Sequence, residues 1–367
     1  IKAGKPYVLR LRSQGSPDKE ITFVDAIKGE IKLPENIHDI VLLKKDGIPT
    51  YHFADAIDDH LMRTTTVVRG GEWLASAPIH YELFHLLGFK MPAYAHTAHL
   101  MKFDEETGGK RKLSKRKDPE LSLDYYRKDG YHPYTMKVYL LTLLNSNFEE
   151  WHEKFPDKDI NEFPFSVEKM NQSGALFDKD KLHNICKNEL SKLSEEELYD
   201  FLYDWAKENE PENVEKWFGD REKMLQILRL YMGVGAKRRR KDLMYAKQIF
   251  ELISYFFDGE SAEEMDEFKL DEDMVSKILK SYLAKYDHND DNSVWFNKLK
   301  EIADEHGFAS DMKAYKANPE NFKGNVSDIA EAVRIAVTGR ANTPDLWTIV
   351  HIMGEEQMAE RIKKHIK

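Results

Sequence analysis

Residues 64–101 read TTTVVRGGEWLASAPIHYELFHLLGFKMPAYAHTAHLM, and their pattern decides the fold class. The β-branched run 64–68 closes on Gly70-Gly71 and predicts a strand. A helix should follow, with Pro78 near its first turn, Leu83, Leu86 and Leu87 on one face, and Gly88 past its end. Residues 93–101 then predict a second strand. Strand, helix and strand in so short a stretch make a βαβ unit, and its crossover implies a parallel sheet. Upstream, residues 7–12 and 21–27 read as strands between the turn signals Ser16-Pro17-Asp18 and Lys28-Gly29, and 40–43 is a short apolar run closed by Asp46-Gly47. Downstream of Lys117 the strand signal fades. Ser194-Glu195-Glu196-Glu197 is a capping box opening a helix through Trp205, and 220–232, 242–257 and 274–286 carry helical spacing. Thr343-Pro344-Asp345 reads as a cap with proline at the first helical position, and Gly354 as the end of that helix. The fold class expected is therefore α/β followed by all-α.

The 367 residues hold 41% hydrophobic and 11% aromatic side chains, which is too much apolar matter for a disordered chain. No stretch approaches the apolar length of a membrane span. Cys186 is the only cysteine, so no intrachain disulfide and no cysteine-rich zinc site can form, and a reducing, cytoplasmic setting is expected. The formal charge is −10, yet the chain carries two local basic runs. Residues 110–117 (KRKLSKRK) hold six basic side chains in eight, and 237–241 (KRRRK) are basic throughout, against nine acidic residues in 258–273. Basic patches on an acidic protein point to a polyanion bound at chosen places. Six histidines (His52, His60, His80, His85, His96 and His99) crowd into fifty residues, but no partner set with zinc-ligand spacing accompanies them, so ordinary hydrogen-bonded imidazoles are expected. The N-terminus, Ile1-Lys2-Ala3-Gly4, has neither an initiator Met nor a signal-peptide pattern and reads like the middle of something.

Lys112-Leu113-Ser114-Lys115-Arg116 follows the turn pair Gly108-Gly109 just beyond the βαβ unit. Ligands bind at the carboxyl ends of parallel strands, and a loop with several ammonium groups and free N–H donors suits a triphosphate. Its context is residues 49–62 (PTYHFADAIDDHLM) and 67–73 (VVRGGEW). Together these resemble bacterial-type glutamyl-tRNA synthetase, a class I aminoacyl-tRNA synthetase, which shows a Thr-Tyr-His-x-Ala-Asn-x-x-Asp-Asp-His-x-Met run, an Arg-x-x-Glu-Trp and a Lys-Leu-Ser-Lys-Arg loop in that order. Residues 121–131 (LSLDYYRKDGY), 175–178 (ALFD), 336–339 (AVTG) and 344–346 (PDL) continue the likeness to the end.

The resemblance implies an ATP-dependent activation of glutamate and its transfer to the 3′ end of a tRNA, with ATP, Mg2+, glutamate and a glutamate-accepting tRNA as partners, no membrane, and a monomeric protein. It implies Lys115 as the catalytic cation on the ATP phosphates, with Lys112, Leu113, Ser114 and Arg116 shaping the loop, Leu100 lining the adenine pocket and Glu72 touching the nucleotide. Tyr51, Asp55 and Arg69 match glutamate-binding positions, and a planar guanidinium suits a carboxylate. Asp55 stands where the family usually has Asn; a carboxylate there repels a carboxylate substrate unless protonated or turned away. Arg240 matches an anticodon-reading arginine, with a plain phosphate contact as the alternative. The domains implied are the tail of an acceptor-binding insertion (1–48), the second half of a Rossmann-type catalytic sheet (49–112), a junction holding the loop (113–190), and two helical anticodon-binding domains (191–290 and 291–367). Nothing before Tyr51 supplies the family's opening strand and His-x-Gly-His, while His351-Ile352-Met353-Gly354 mimics the letters inside an apolar helix. The 367 residues alone are accordingly expected to lack the first catalytic half and activity, the alternative role being a non-catalytic tRNA-binding fragment.

Overall fold

The computed structural model describes residues 5–104, 106–257 and 265–367. By contacts the chain divides into two compact units, Ile1–Ser122 with Met136–Asp180, and Leu123–Thr135 with Lys181–Lys367.

The first unit is α/β. Strands β1 (Leu9–Arg10), β2 (Glu20–Asp25), β3 (Gly29–Pro34) and β4 (Val41–Leu43) precede helix α1 (Tyr51–Leu61). Then come β5 (Thr66–Gly70), α2 (Ala77–Leu86), β6 (Ala93–Thr97), β7 (Leu100–Phe103), β8 (Lys110–Lys112) and, far along the chain, β9 (Ala175–Leu176). The central sheet has the order β3-β2-β6-β5. β5 and β6 run parallel through five residue pairs, Thr66↔Ala93 to Gly70↔Thr97, with α2 as the crossover. This is the expected βαβ unit.

One expectation changes, and two elements join those expected. β3 was not anticipated: Gly29, at φ +76°, turns the chain back and Ile31 and Leu33 then alternate inward against β2. The single strand foreseen over 93–101 is two strands of different sheets, because β7 leaves the β5–β6 pairing at Ala98 and His99 to pair with β8 and β9. Residues 51–61 form a helix, and that helix presents the site.

The second unit is helical. Ser194 and Glu197 close the expected capping box reciprocally at the start of the helix Glu195–Asn209. Helices Arg221–Met232, Ala246–Ile253 and Glu272–Lys285 fall on the three periodic segments. One continuous apolar core runs from Leu190 to Ile362 through Leu228, Tyr255, Leu299 and Val333. The last cap lies two residues beyond its expected place: Asp345, not Thr343, accepts the N–H of Thr348 at 2.9 Å, and the helix is Leu346–Met353, ending at Gly354. The carboxylate reaches the third N–H of that turn, so Pro344 stays outside. Part of the acidic run, 258–264, and residues 1–4 lie outside the described residues.

Candidate active site

α1 starts behind Thr50 and places Tyr51, Asp55 and Asp59 on one stripe, four residues apart. His80 of α2 is fully buried opposite them, its Nδ1 3.1 Å from Asp55 Oδ2 and its Nε2 3.0 Å from His52 Nδ1. The His80 contact, against the pull of burial, holds the Asp55 carboxyl below its usual range, whereas burial pushes Asp59 up and His52 down. Asp55 is thus engaged by His80.

Arg69, the last residue but one of β5, is flanked by the ring of Tyr94 4.6 Å from its guanidinium carbon and by Trp73, on which Tyr51 packs at 4.8 Å. Its Nε–H donates to His96 Nε2 at 3.0 Å and its Nη2 reaches the Trp73 carbonyl at 3.5 Å. Nη1 is buried without a hydrogen-bond partner among the described residues. A buried cationic N–H left open is costly unless an anion completes it. This corner can take a carboxylate.

Three residues on, Glu72 lies 3.3 Å from His99 Nδ1 and 3.9 Å from the ammonium of Lys112, the last residue of β8. Leu100 opens β7, and its carbonyl accepts the N–H of Leu113, whose side chain is buried as the anchor of the loop. Ser114 is half-buried, while Lys115 and Arg116 stand exposed in the turn that follows. Asp118 closes that turn: its buried carboxylate accepts both arms of Arg111 at 2.7 Å and the Ser114 N–H at 2.8 Å. The first unit therefore brings Arg69, Tyr51, Asp55, Glu72 and the 112–116 loop to the carboxyl-terminal side of β5 and β6.

The histidines do not converge. His52 meets His80, His96 meets Asp25 and Arg69, His99 meets Glu72, and His60 stacks on Phe89 at 3.6 Å. Among the described residues no three Cys, His, Asp or Glu side chains gather as a metal cage, and no helix is long and apolar enough to cross a membrane.

Arg240 lies in the second unit, on a loop that begins where Gly233, at φ +65°, ends the helix Arg221–Met232. A Cβ on Gly233 would meet the Arg240 backbone nitrogen at 3.0 Å, so glycine serves both the turn and the close approach. Arg240 pairs with Asp242 through Nη2 at 2.6 Å and faces a cavity of about 600 Å3 shared with Arg229, Arg238, Asp345 and Thr348. His351 of the decoy motif bonds the carbonyls of Trp347 and His288 and belongs to the core edge.

Asp25, His80, His96 and Asp118 hold places at the site that the sequence does not assign them, although both histidines are expected as ordinary hydrogen-bonded imidazoles. A signal existed for the first two. β2 alternates exposed and buried, and Asp25 occupies an inward position where an apolar residue is expected. His80 sits three and four residues before Leu83 and Phe84, on the apolar face of α2.

The pattern described as tRNA synthetases class I (E and Q), catalytic domain, matches residues 1–184, and that described as an anticodon binding domain matches 197–366. The glutamate–tRNA ligase of Acetivibrio thermocellus is 52% identical over 366 residues, covering 99% of this chain and 66% of the relative. That of Alkaliphilus metalliredigens is 31% identical, covering all of this chain and 69% of the relative. A crystal structure of a glutamate tRNA ligase from Elizabethkingia meningosepticum in complex with its amino acid shares the fold, with a TM-score of 0.70 at 24% identity over 99% of this chain and 69% of that one. The chain spans just under two thirds of the length of the first of these relatives.

Proposed function

This chain belongs to the glutamate–tRNA ligase family of the class I synthetases, and from that premise we propose that its protein activates glutamate with ATP and passes it to the 3′ end of a glutamate-accepting tRNA. The observation that carries the reading is half-buried Arg69, whose buried Nη1 has no hydrogen-bond partner among the described residues, at the same strand ends as Glu72 and Lys112. A glutamate carboxylate oxygen bonds the α-phosphorus of ATP and the bond to the β-phosphate breaks, releasing pyrophosphate. A terminal ribose hydroxyl of the tRNA then attacks the adenylate carbonyl and AMP leaves. Arg69 and Tyr51 hold the amino acid; Lys115, with Lys112, balances charge that grows on the phosphates. Glu72 and Leu100 flank the nucleotide. Magnesium enters on the triphosphate as part of that substrate. The protein acts as a monomer in the cytoplasm. Pyrophosphate exchange by the protein at its natural length tests the reading: exchange should require glutamate, and exchange indifferent to glutamate would overturn it. The alternative, a piece that binds tRNA without chemistry, would bind glutamate tRNA and exchange nothing.

The Asp55 contacts carry a prediction. Because its carboxylate lies 3.1 Å from the buried His80 ring, Asp55→Asn should leave the KM for glutamate within about threefold. Its pKa is lowered in the fold, so its contribution to stability is present above the unfolded value and lost as pH falls through the folded one. Thermal unfolding of the wild type should therefore lose more between pH 5 and pH 3 than that of the variant. A KM that drops tenfold would mean the carboxylate faces the substrate instead.

Arg240 carries another. Held by Asp242 beside the cavity, it is pre-aimed for a base edge. Arg240→Ala should weaken the cognate tRNA about tenfold and a tRNA altered at the third anticodon base far less. Equal weakening of both, with the salt slope reduced by about one contact, would make it a phosphate contact.

A further inference from the structure

Asp25, His96 and Arg69 stand on three adjacent strands, β2, β6 and β5, in that spatial order. Arg69 and His96 are direct partners in the β5–β6 register, and Asp25 pairs with Tyr94, two residues before His96 on β6. The side chains of Asp25 and His96 are both fully buried. Asp25 Oδ1 accepts the N–H groups of Ile27 and Lys28, each at 2.9 Å, and Oδ2 accepts the backbone N–H of His96 at 3.0 Å. Oδ2 also lies 2.6 Å from His96 Nδ1. Burial pushes Asp25 up, but these donors outweigh it and hold the carboxyl below its usual range.

One proton arrangement satisfies the chain of contacts. An arginine Nε is always a donor, so His96 Nε2 must be the bare acceptor. The ring proton then sits on Nδ1 and is donated to Asp25. A neutral imidazole bridges a carboxylate and a guanidinium, and burial keeps the ring from charging. The consequence falls on Arg69. Its Nε side is occupied by His96, its face lies against Tyr94, and Nη2 has one contact to the Trp73 carbonyl. Among the described residues nothing else bonds the Nη1–Nη2 edge, which is the side left for an anion.

We propose that Asp25 and His96 are positioning residues that lock Arg69 so that it grips the amino-acid carboxylate end-on, through Nη1 and Nη2. The proposal rests on the reading of Arg69 as the amino-acid contact. Asn at position 25 can donate an N–H where the carboxylate only accepts, which favours the other ring tautomer and sets Nε2–H against Nε–H of Arg69. Asp25→Asn should therefore raise the KM for glutamate about ten- to hundredfold, the weight of one or two charge-assisted hydrogen bonds, and leave the KM for ATP unchanged. His96→Leu should do the same. His96→Gln, whose amide oxygen can still accept from Nε, should recover much of the loss.

The test has two arms. In protein with 15N-labelled histidine rings, the signal pair lost in His96→Gln should show a protonated Nδ1 and a bare Nε2, the opposite of the tautomer favoured in free histidine. Kinetics of the natural-length protein supply the other arm. An Nε2–H ring, or a glutamate KM unmoved by both Asp25→Asn and His96→Leu while unfolding temperatures fall, would overturn the proposal and leave the pair as a tie between strands. If the wild type itself shows no dependence on glutamate, the functional reading fails, and the ring tautomer still decides whether the relay exists.

Discussion

Replacing Lys115 by alanine should lower glutamate-dependent pyrophosphate exchange by about 100- to 1,000-fold and leave the unfolding temperature where it was. The two halves of that expectation have separate grounds. Lys115 stands exposed in the turn after β8, and among the described residues its ammonium has no hydrogen bond or ion pair. Removing it takes no packing from the fold. Its backbone is held by others: Leu113 is buried and bonded to Leu100, and Ser114 is fixed by Asp118. The loss is then confined to the step in which charge gathers on the phosphates, where a placed cation counts for more than in water. Lys115→Arg should fall between, since it keeps the charge and changes its reach. Steady-state exchange at saturating glutamate, with calorimetry alongside, makes the measurement. An unchanged rate would take Lys115 out of the role, and a lowered unfolding temperature would mean that the turn, not the chemistry, had been damaged.

The parts of this molecule that were legible in the sequence are those decided by neighbours along the chain. The βαβ unit from Thr66 to Thr97 could be read because a β-branched run, a proline-started helix and a glycine stop are local signals. The capping box at Ser194 is legible for the same reason: both of its hydrogen bonds close within three residues. β7 was not legible as a separate strand, because what divides it from β6 is its pairing with β9, some seventy residues away. The site behaves alike. Arg69, Tyr51 and the 112–116 loop lie on short motifs, whereas the contacts that fix them are long-range. Asp25 reaches His96 across 71 residues and Asp55 reaches His80 across two helices. No spacing rule connects such pairs. What the sequence did hold was their anomaly, a charged residue at an inward strand position and a histidine on an apolar helix face, and such anomalies are where function is most often found.

Asp118→Asn should loosen the 112–116 loop, slow glutamate activation about ten- to hundredfold, and leave the KM for glutamate unchanged. Asp118 is covered by its partners: Arg111 forks onto both oxygens at 2.7 Å, Lys102 stands 3.1 Å from Oδ1, and the Ser114 N–H meets Oδ2 at 2.8 Å. The loop returns the grip, since the backbone N–H groups of Lys117 and Asp118 both bond the Ser114 carbonyl. The Arg111 fork, against the pull of burial, holds the Asp118 carboxyl far below the usual carboxylate range. Its contribution is thus present above the unfolded pKa and lost only in strong acid, so pH between 5 and 9 does not open this contact and substitution must. An amide accepts through one atom only, which frees one arm of Arg111 or the Ser114 N–H. Arg111 and Lys102 are about a quarter exposed, so water can take over their charges and the cost to global stability is small. The cost to the loop is not, because Ser114 is the residue before Lys115. Trypsin reports this directly, since Lys115, Arg116 and Lys117 are its sites: cleavage there should quicken about tenfold or more in the variant, as local opening becomes easier. Arg111→Gln should act in the same direction, and the double variant should cost less than the sum of the two, because both break one contact. Strictly additive losses, or a loop cleaved no faster than in the wild type, would show that Asp118 does not hold it.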